Sequence, residues 1–265
     1  MPPLGEVNSP LHSQGDAFLR RKPAGLTVPR TAVMVAASLP DGMLTGLQFD
    51  LQARSMVELQ LRQRGIRDER VLEAMRLVPR HEFVPVELES AAYDDRPLPI
   101  GPRETISQPY IVAAMTEAAH VSPGDKALEI GAGSGYQAAI LAHLGAKVYA
   151  IELNADLANA ARERLKRLGC QSIEVFAGDG SEGRQDHAPY NVVIVSAGTP
   201  SVSPALLRQL AEGGRLVAPV GTLQYQELLL LWKHGGEIAT RSLGQCQFVP
   251  LVGKGGWPEQ STGRE

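Results

Sequence analysis

The chain has 265 residues, of which 43% are hydrophobic and 21% charged, with a formal net charge of −3. That is enough apolar material for a large core without a disulfide or metal staple, and Cys170 and Cys246 sit in no metal-ligand or redox spacing. The slight acidity argues against a duplex nucleic-acid surface, and no apolar run is long enough to span a bilayer.

In chain order, residues 1–48 mix Pro, Gly, Ser and isolated charges without sustained periodicity, and are expected to be an extension with no fold of its own. The apolar run at 31–39 follows Arg20, Arg21, Lys22 and Arg30 and loosely imitates a signal peptide. It is short, lies late and lacks a convincing cleavage site, so cytoplasmic residence is expected rather than export. Helical patterning runs over 51–64 and stops at Gly65. Asp68 is the expected N-cap of a second helix carrying Val71, Leu72 and Met75 on one face. Pro79, Pro85, Pro97 and Pro99 make the next stretch loop-rich, ahead of a helical run over 110–120.

After Pro123-Gly124-Asp125, strands and helices alternate. Strands are expected at 126–130, 147–151, 173–176, 192–195, 215–220, 227–232 and 247–251. Asn154 caps a helix whose Leu157, Ala161, Leu165 and Leu168 are spaced by four, four and three before Gly169, and Ser203-Pro204 opens another. The pattern predicts an α/β fold: a doubly wound, mostly parallel seven-stranded Rossmann-like sheet whose ligand sits at the strands' carboxyl ends. The expected division is 1–48 extension, 49–124 helical and loop-rich segment packed on the core, 125–258 ligand-binding core and 259–265 tail.

The strongest local signal is Leu128-Glu129-Ile130-Gly131-Ala132-Gly133-Ser134-Gly135. Its glycines let the backbone turn tightly from strand to helix and let a ligand touch main-chain N–H groups. A dinucleotide fingerprint needs glycine at 136, where this chain has Tyr136, and Glu129 lies inside the strand before the turn. That form suits S-adenosylmethionine better than a nicotinamide; a tight turn with no ligand is the plain alternative. Glu152 ends the second strand 21 residues after Gly131, where a carboxylate can accept hydrogen bonds from both ribose hydroxyls. Asp179 and Gly180, within Gly178-Asp179-Gly180, follow the third strand and could approach the adenine amino group, although the tripeptide is also an ordinary turn. Ser196-Ala197-Gly198-Thr199 stands where a DNA adenine methylase would show an Asn/Asp-Pro-Pro-aromatic sequence, so methylation of base amino groups is disfavoured.

A more specific signal lies upstream. It comprises Val71-Leu72-Glu73-Ala74-Met75, Val78-Pro79-Arg80-His81, Phe83-Val84-Pro85, Arg96-Pro97-Leu98-Pro99-Ile100-Gly101 and Thr105-Ile106-Ser107-Gln108-Pro109-Tyr110. Downstream stand Gly213-Gly214-Arg215-Leu216-Val217, Pro219-Val220-Gly221 and Phe248-Val249-Pro250-Leu251. Together they resemble the protein-L-isoaspartate O-methyltransferases, from about residue 55 to 257. The resemblance implies methyl transfer from S-adenosylmethionine, leaving S-adenosylhomocysteine, to the free carboxylate of L-isoaspartyl residues in damaged proteins and peptides, with D-aspartyl residues a second candidate. It implies Ser107 as the active-site serine. Thr105, Ile106 and Gln108 are the substrate-binding neighbours, and Val249, Pro250 and Leu251 an edge that could hold an extended peptide. From the residues alone, Ser107 could equally cap the adjoining helix. No metal, nucleic-acid or membrane partner is expected, and the chain is expected to act as a monomer.

Three departures from the family pattern stand out: the charged Pro102-Arg103-Glu104, Asn191 where an aspartate is frequent, and the extension itself. The implied chemistry is economical. A carboxylate with a pKa of about 4 is already ionised at pH 7 and needs no general base, which suits the absence of a Ser/His/Asp or Cys/His constellation. The ester would then collapse unaided to a succinimide, whose hydrolysis returns some normal aspartate. The alternatives are a small-molecule or RNA methyltransferase on the same cofactor core, which leaves 105–110 unexplained, and a catalytically silent cofactor-binding module.

Overall fold

Helix α1 spans Asp41–Ser55, well before the expected start at 51, then widens into a π segment Met56–Leu61 and tightens through a 3-10 turn Arg62–Arg64 into left-handed Gly65. Leu47 and Leu51 of α1 are exposed, so that stretch of the helix shows no continuous apolar stripe for periodicity to reveal. The computed structural model describes residues 41–259. The signal-like run at 31–39, most of the expected extension and nearly all of the expected tail lie outside the described residues. From Thr45 onward the chain forms one unit.

Helix α2 (Glu69–Leu77) is capped as expected, Asp68 accepting from the Arg70 N–H, and buries Val71, Leu72, Ala74 and Met75. The proline-rich stretch contains two 3-10 segments, Arg80–Phe83 and Val86–Ala91. A two-residue hairpin comes next: β1 (Leu98–Pro99) pairs antiparallel with β2 (Thr105–Ile106). Helix α3 (Pro109–Ala119) starts one residue later than a Ser107 cap would require. Its N-cap is Gln108, which makes no side-chain cap bond, and Pro109 occupies the first turn.

The core alternates as expected: β3 (Lys126–Ile130), α4 (Tyr136–His143), β4 (Lys147–Glu152), α5 (Ala155–Arg167), β5 (Ile173–Ala177), β6 (Tyr190–Val195), α6 (Pro204–Arg208) and β7 (Leu210–Gly221). Strands β3, β4 and β6 are almost wholly buried, as strands covered on both faces must be. The seven-stranded sheet has the order β5-β4-β3-β6-β7-β8-β9, parallel as far as β7, with β8 (Gln226–His234) and β9 (Glu237–Cys246) added antiparallel. The seventh strand is therefore β9 and not 247–251. Most of β9 is exposed on both faces at the sheet edge, so it carries no alternating hydrophobic pattern. Asn191, the departure before β6, accepts from the Lys126 N–H at 2.9 Å and ties β6 to the start of β3.

The chain winds β3→β4→β5 in one direction and then returns to lay β6 on the other side of β3. That reversal opens a crevice beyond the carboxyl ends of β3 and β6. One apolar layer, including Met75, Phe83, Met115 and Ile140, packs on one face of the sheet; the other, including Leu128, Tyr149, Val193 and Leu206, packs on the opposite face.

Candidate active site at the β3/β6 crevice

The glycine turn forms the crevice floor. The N–H groups of Gly131 and Ala132 both reach the Ile151 carbonyl, at 2.9 and 3.0 Å, folding the chain back over β4. Gly131 (φ 82°) and Gly133 (φ 52°) occupy the left-handed region, where a side chain would be strained. Glu152, buried at the end of β4, braces the turn: Oε2 accepts from the Gly133 N–H at 2.8 Å and Oε1 from the Asn154 N–H at 3.0 Å.

Two adjoining cavities, of about 30 and 70 Å³, share Thr105, Gly131, Gly133 and Ser196 as walls. Ile106, Ser107, Glu129, Ala132 and Ser134 line the first; Glu152, Gly180, Val249, Pro250 and Leu251 line the second. Most of the residues singled out in the sequence thus converge, with the β1–β2 hairpin on one side and the glycine turn on the other. A wider mouth of about 610 Å³, bordered by Arg103, Glu104, Leu153, Val252 and Trp257, adjoins them. Another groove, of about 560 Å³, runs along Tyr110, Ile111, Ala114 and Ala118 of α3 and contains none of the expected site residues.

Three of those residues lie elsewhere. The Gln108 amide donates to the Asp95 backbone carbonyl and carboxylate, at 3.1 and 2.7 Å. Gly135 begins α4, where a Cβ would come within 3.0 Å of Leu165 Cδ1, so its glycine serves helix packing. The Asp179 carboxylate accepts from the Ser181 and Lys254 N–H groups, each at 2.8 Å. Burial works against its ionisation, but these donors hold its pKa below the usual carboxylate range.

The 247–251 segment is a strap across the crevice. Gly198 donates its N–H to the Val249 carbonyl at 2.8 Å and accepts from the Leu251 N–H at 2.7 Å. Buried Gln226 holds Phe248 at both ends: Nε2 donates to the carbonyl at 3.2 Å and Oε1 accepts the N–H at 2.8 Å. The strap's main-chain groups are largely engaged within the protein, so it offers a peptide little free edge.

The electrostatics single out Glu129. It is 1% exposed, its Oε1 accepts from the Ser196 hydroxyl at 3.2 Å, and its Oε2 has no hydrogen-bond partner among the described residues. Burial, reinforced by the charge of Glu152, pushes its pKa up to about 8. A carboxylate in that state has room for one cationic donor. Ser196, Val112, Met115, Tyr136 and Gln137 also line the inner cavity and were not anticipated. For Ser196 the available signal was its place just after the strand at the topological reversal. The Ser107 hydroxyl makes no helix-capping bond, and its backbone carbonyl accepts from Arg80 Nη2 at 2.7 Å.

Residues 52–256 match the family model for protein-L-isoaspartate(D-aspartate) O-methyltransferase, PCMT. A protein-L-isoaspartate O-methyltransferase from Methanoculleus marisnigri is 54% identical over 206 residues, covering 78% of this chain and 94% of the relative. Another, from Koribacter versatilis, is 52% identical over 221 residues, covering 83% and 98%. Among solved structures, a protein-L-isoaspartate O-methyltransferase superposes with a TM-score of 0.69 at 27% identity, over 77% of this chain and 66% of that one. A Plasmodium falciparum β-aspartate methyltransferase in complex with S-adenosyl-L-homocysteine gives 0.67 at 26% identity, over 76% and 98%.

Proposed function

This chain belongs to the protein-L-isoaspartate(D-aspartate) O-methyltransferase family, and from that membership we infer that it methylates the free carboxylate of isoaspartyl residues in damaged proteins and peptides. It is an S-adenosylmethionine-dependent enzyme, and the ester it forms initiates repair. The observation that carries the reading to this chain's own residues is the convergence of Thr105, Ile106 and Ser107 with Glu129, Gly131 and Ser196 around one crevice.

The residues present fit the cofactor. Glu129 Oε2, buried and without a partner, suits an α-ammonium group. The left-handed Gly131 and Gly133 keep the turn free of side chains so that a ligand can lie close against it, and Glu152 stands where ribose hydroxyls would meet it. Gly180 lines the wall nearest Ile151, where a Cβ would come within 3.0 Å. Asp179, fastened to Lys254, is assigned to the adenine edge through its remaining lone pairs. S-adenosylmethionine supplies an electrophilic methyl group on a sulfonium.

Ser107 orients the substrate carboxylate by donating its hydroxyl hydrogen bond, with Thr105 and Ile106 shaping the wall beside it. A carboxylate oxygen forms the new C–O bond as the methyl C–S bond breaks, and the electron pair stays on sulfur. No proton moves, so no general base is called for. The crevice's contribution is alignment and exclusion of water around two opposite charges that neutralise each other. The strap at Val249, Pro250 and Leu251 closes the second cavity, and the charged Pro102-Arg103-Glu104 tip of the hairpin borders the mouth through which a peptide reaches it.

Residues 49–124 serve, on this reading, as the substrate-facing segment and 125–258 as the cofactor-binding core. Among the described residues, no helix is long and apolar enough to cross a membrane. Free Cys170 and Cys246 suit a reducing, cytoplasmic setting, and the net charge of −3 suits peptide over nucleic-acid substrates for an enzyme acting as a monomer. The test is a paired assay with labelled S-adenosylmethionine. The isoaspartyl peptide should be methylated and its normal aspartyl twin left alone; equal labelling of both, or of neither, rejects the reading.

A further inference from the structure

A cation is buried behind the serine. Arg80 is 0% exposed. Its Nε donates to the Ala92 carbonyl and its Nη2 to the Ser107 carbonyl, both at 2.7 Å, while Nη1 has no hydrogen-bond partner. The guanidinium carbon lies 4.8 Å from the centroid of the Tyr136 ring, whose residue also lines the inner cavity. Among the described residues, the titratable groups that bear on Arg80 are the phenols of Tyr136 and Tyr93, and no carboxylate does so. Burial lowers its pKa, yet a guanidinium stays protonated at neutral pH.

Leaving a buried charge without a counter-ion is costly, and a neutral donor could serve two backbone carbonyls. We propose that Arg80 is a positioning residue for methyl transfer: it fixes the Ser107 backbone, and its positive field holds the anionic isoaspartyl carboxylate, which becomes its counter-ion in the bound state. This rests on the assignment of Ser107 to the substrate carboxylate under the proposed function.

The geometry sets the reach. Within one serine the carbonyl oxygen and the hydroxyl lie within about 4 Å of each other by covalent dimensions, so the guanidinium nitrogen is at most about 7 Å from the group that holds the substrate. The substrate carboxylate lies one hydrogen bond beyond that hydroxyl, at most about 10 Å from the guanidinium, and across that separation, at the effective dielectric of a protein site, one charge pair changes affinity on the order of tenfold or more. The same field repels the cationic sulfonium and ammonium of the cofactor. A charge role therefore moves the two ligands in opposite directions, whereas a purely structural role weakens both together.

The experiment compares full-length parent, Arg80→Met and Arg80→Lys, measuring peptide KM, kcat and the Kd of S-adenosylmethionine. Arg80→Met should raise the peptide KM at least tenfold while cofactor Kd stays level or tightens. Arg80→Lys keeps the charge but should do so only below the lowered pKa of a buried lysine. Measured at saturating S-adenosylmethionine, its peptide KM should lie near the parent's at pH 6.5 and climb above the parent's, toward that of Arg80→Met, as pH rises to 9. If Arg80→Met does not fold, this pH limb in Arg80→Lys decides the matter. An unchanged peptide KM, a parallel loss of peptide and cofactor affinity, or a flat pH response in Arg80→Lys overturns the proposal. The parent's discrimination between the isoaspartyl peptide and its aspartyl twin reports separately on the function, whatever the variants do.

Discussion

Replacing Glu129 by Gln should stabilise the cofactor-free protein, and increasingly so as the pH rises. In the unfolded chain a glutamate loses its proton above the ordinary value of 4.5, while in the fold Glu129 keeps it until about 8. Between those values the folded state binds more protons than the unfolded state, so the Glu129 contribution to stability falls as pH rises. At about 1.36 kcal/mol per pH unit, the whole interval corresponds to roughly 5 kcal/mol, of which about 3 kcal/mol is lost by pH 7. Full burial leaves no solvent screening to discount. Glutamine cannot lose a proton, and any change in its bond to Ser196 adds an offset that does not vary with pH. Urea denaturation of both proteins at pH 5, 6, 7 and 8 without cofactor should therefore give stabilities that diverge with pH, the variant lying above. His81, whose pKa burial lowers, titrates in both proteins and cancels in the difference. A cationic ligand should draw the proton off, so calorimetry of S-adenosylmethionine binding at pH 7 in buffers of different ionisation enthalpy should show release approaching one proton in the parent and none in the variant. Parallel stability curves for the two proteins would refute the reasoning.

Ser107→Ala should lower turnover with little change in cofactor Kd or Tm, because the hydroxyl caps no helix; a lowered Tm with intact turnover would return the serine to a structural role. Glu152→Gln should weaken S-adenosylmethionine by about ten- to a hundredfold in calorimetry, since charge-assisted bonds contribute about 1.5–3 kcal/mol and one oxygen also braces the Gly133 N–H. Gln226→Leu should strand the Phe248 N–H and carbonyl, costing about 1–3 kcal/mol for each buried group in denaturant titrations. It should also raise hydrogen exchange at the Gly198 and Leu251 amides and the peptide KM, with methyl-transfer chemistry otherwise unchanged.

How much of this can be read in the sequence depends on whether a residue's role is local. The glycine turn, Glu129 and Glu152 are legible because β3 and β4 are buried on both faces and read as continuous apolar runs, which fixes the register of the turn and of the strand end. The caps at Asp68, Asn154 and Ser203 are legible for the same reason: each bonds within three residues of itself. The strap reads as a strand because Phe248, Val249 and Leu251 are apolar, when Val249 and Leu251 line the crevice and Phe248 packs on the apolar layer. Strand β9 is invisible because edge exposure removes the alternation that would mark it. Arg80 is visible in the sequence only as one member of the Val78-Pro79-Arg80-His81 element, with no role attached; only the fold brings it to Ser107, 27 positions on. Ser107 owes its assignment to family resemblance, and the fold removes the competing role by making Gln108 the N-cap.

The placement of charge explains why such a site tolerates two features that a stable core would avoid. Glu129 is a buried acid with one unpartnered oxygen, and Arg80 a buried base with one unpartnered nitrogen. They do not neutralise each other: Glu129 faces the glycine turn and Ser196, whereas Arg80 lies behind Ser107 against Tyr136. Each would cost stability in the free protein. Each also matches the charge of one reactant, the ammonium of the cofactor and the carboxylate of the peptide. Had the acid and base paired, the fold would be more stable and both ligands would have to break the pair in order to bind. Kept from pairing, the buried acid and the buried base leave compensation to the ligands: the ammonium draws the proton from Glu129, and the carboxylate sits in the field of Arg80. The arrangement also sorts the reactants, because an anion beside Glu129 cannot draw off its proton and a cation near Arg80 meets like charge. Loss of stability at the site and selectivity for one cation and one anion are therefore the same physical fact.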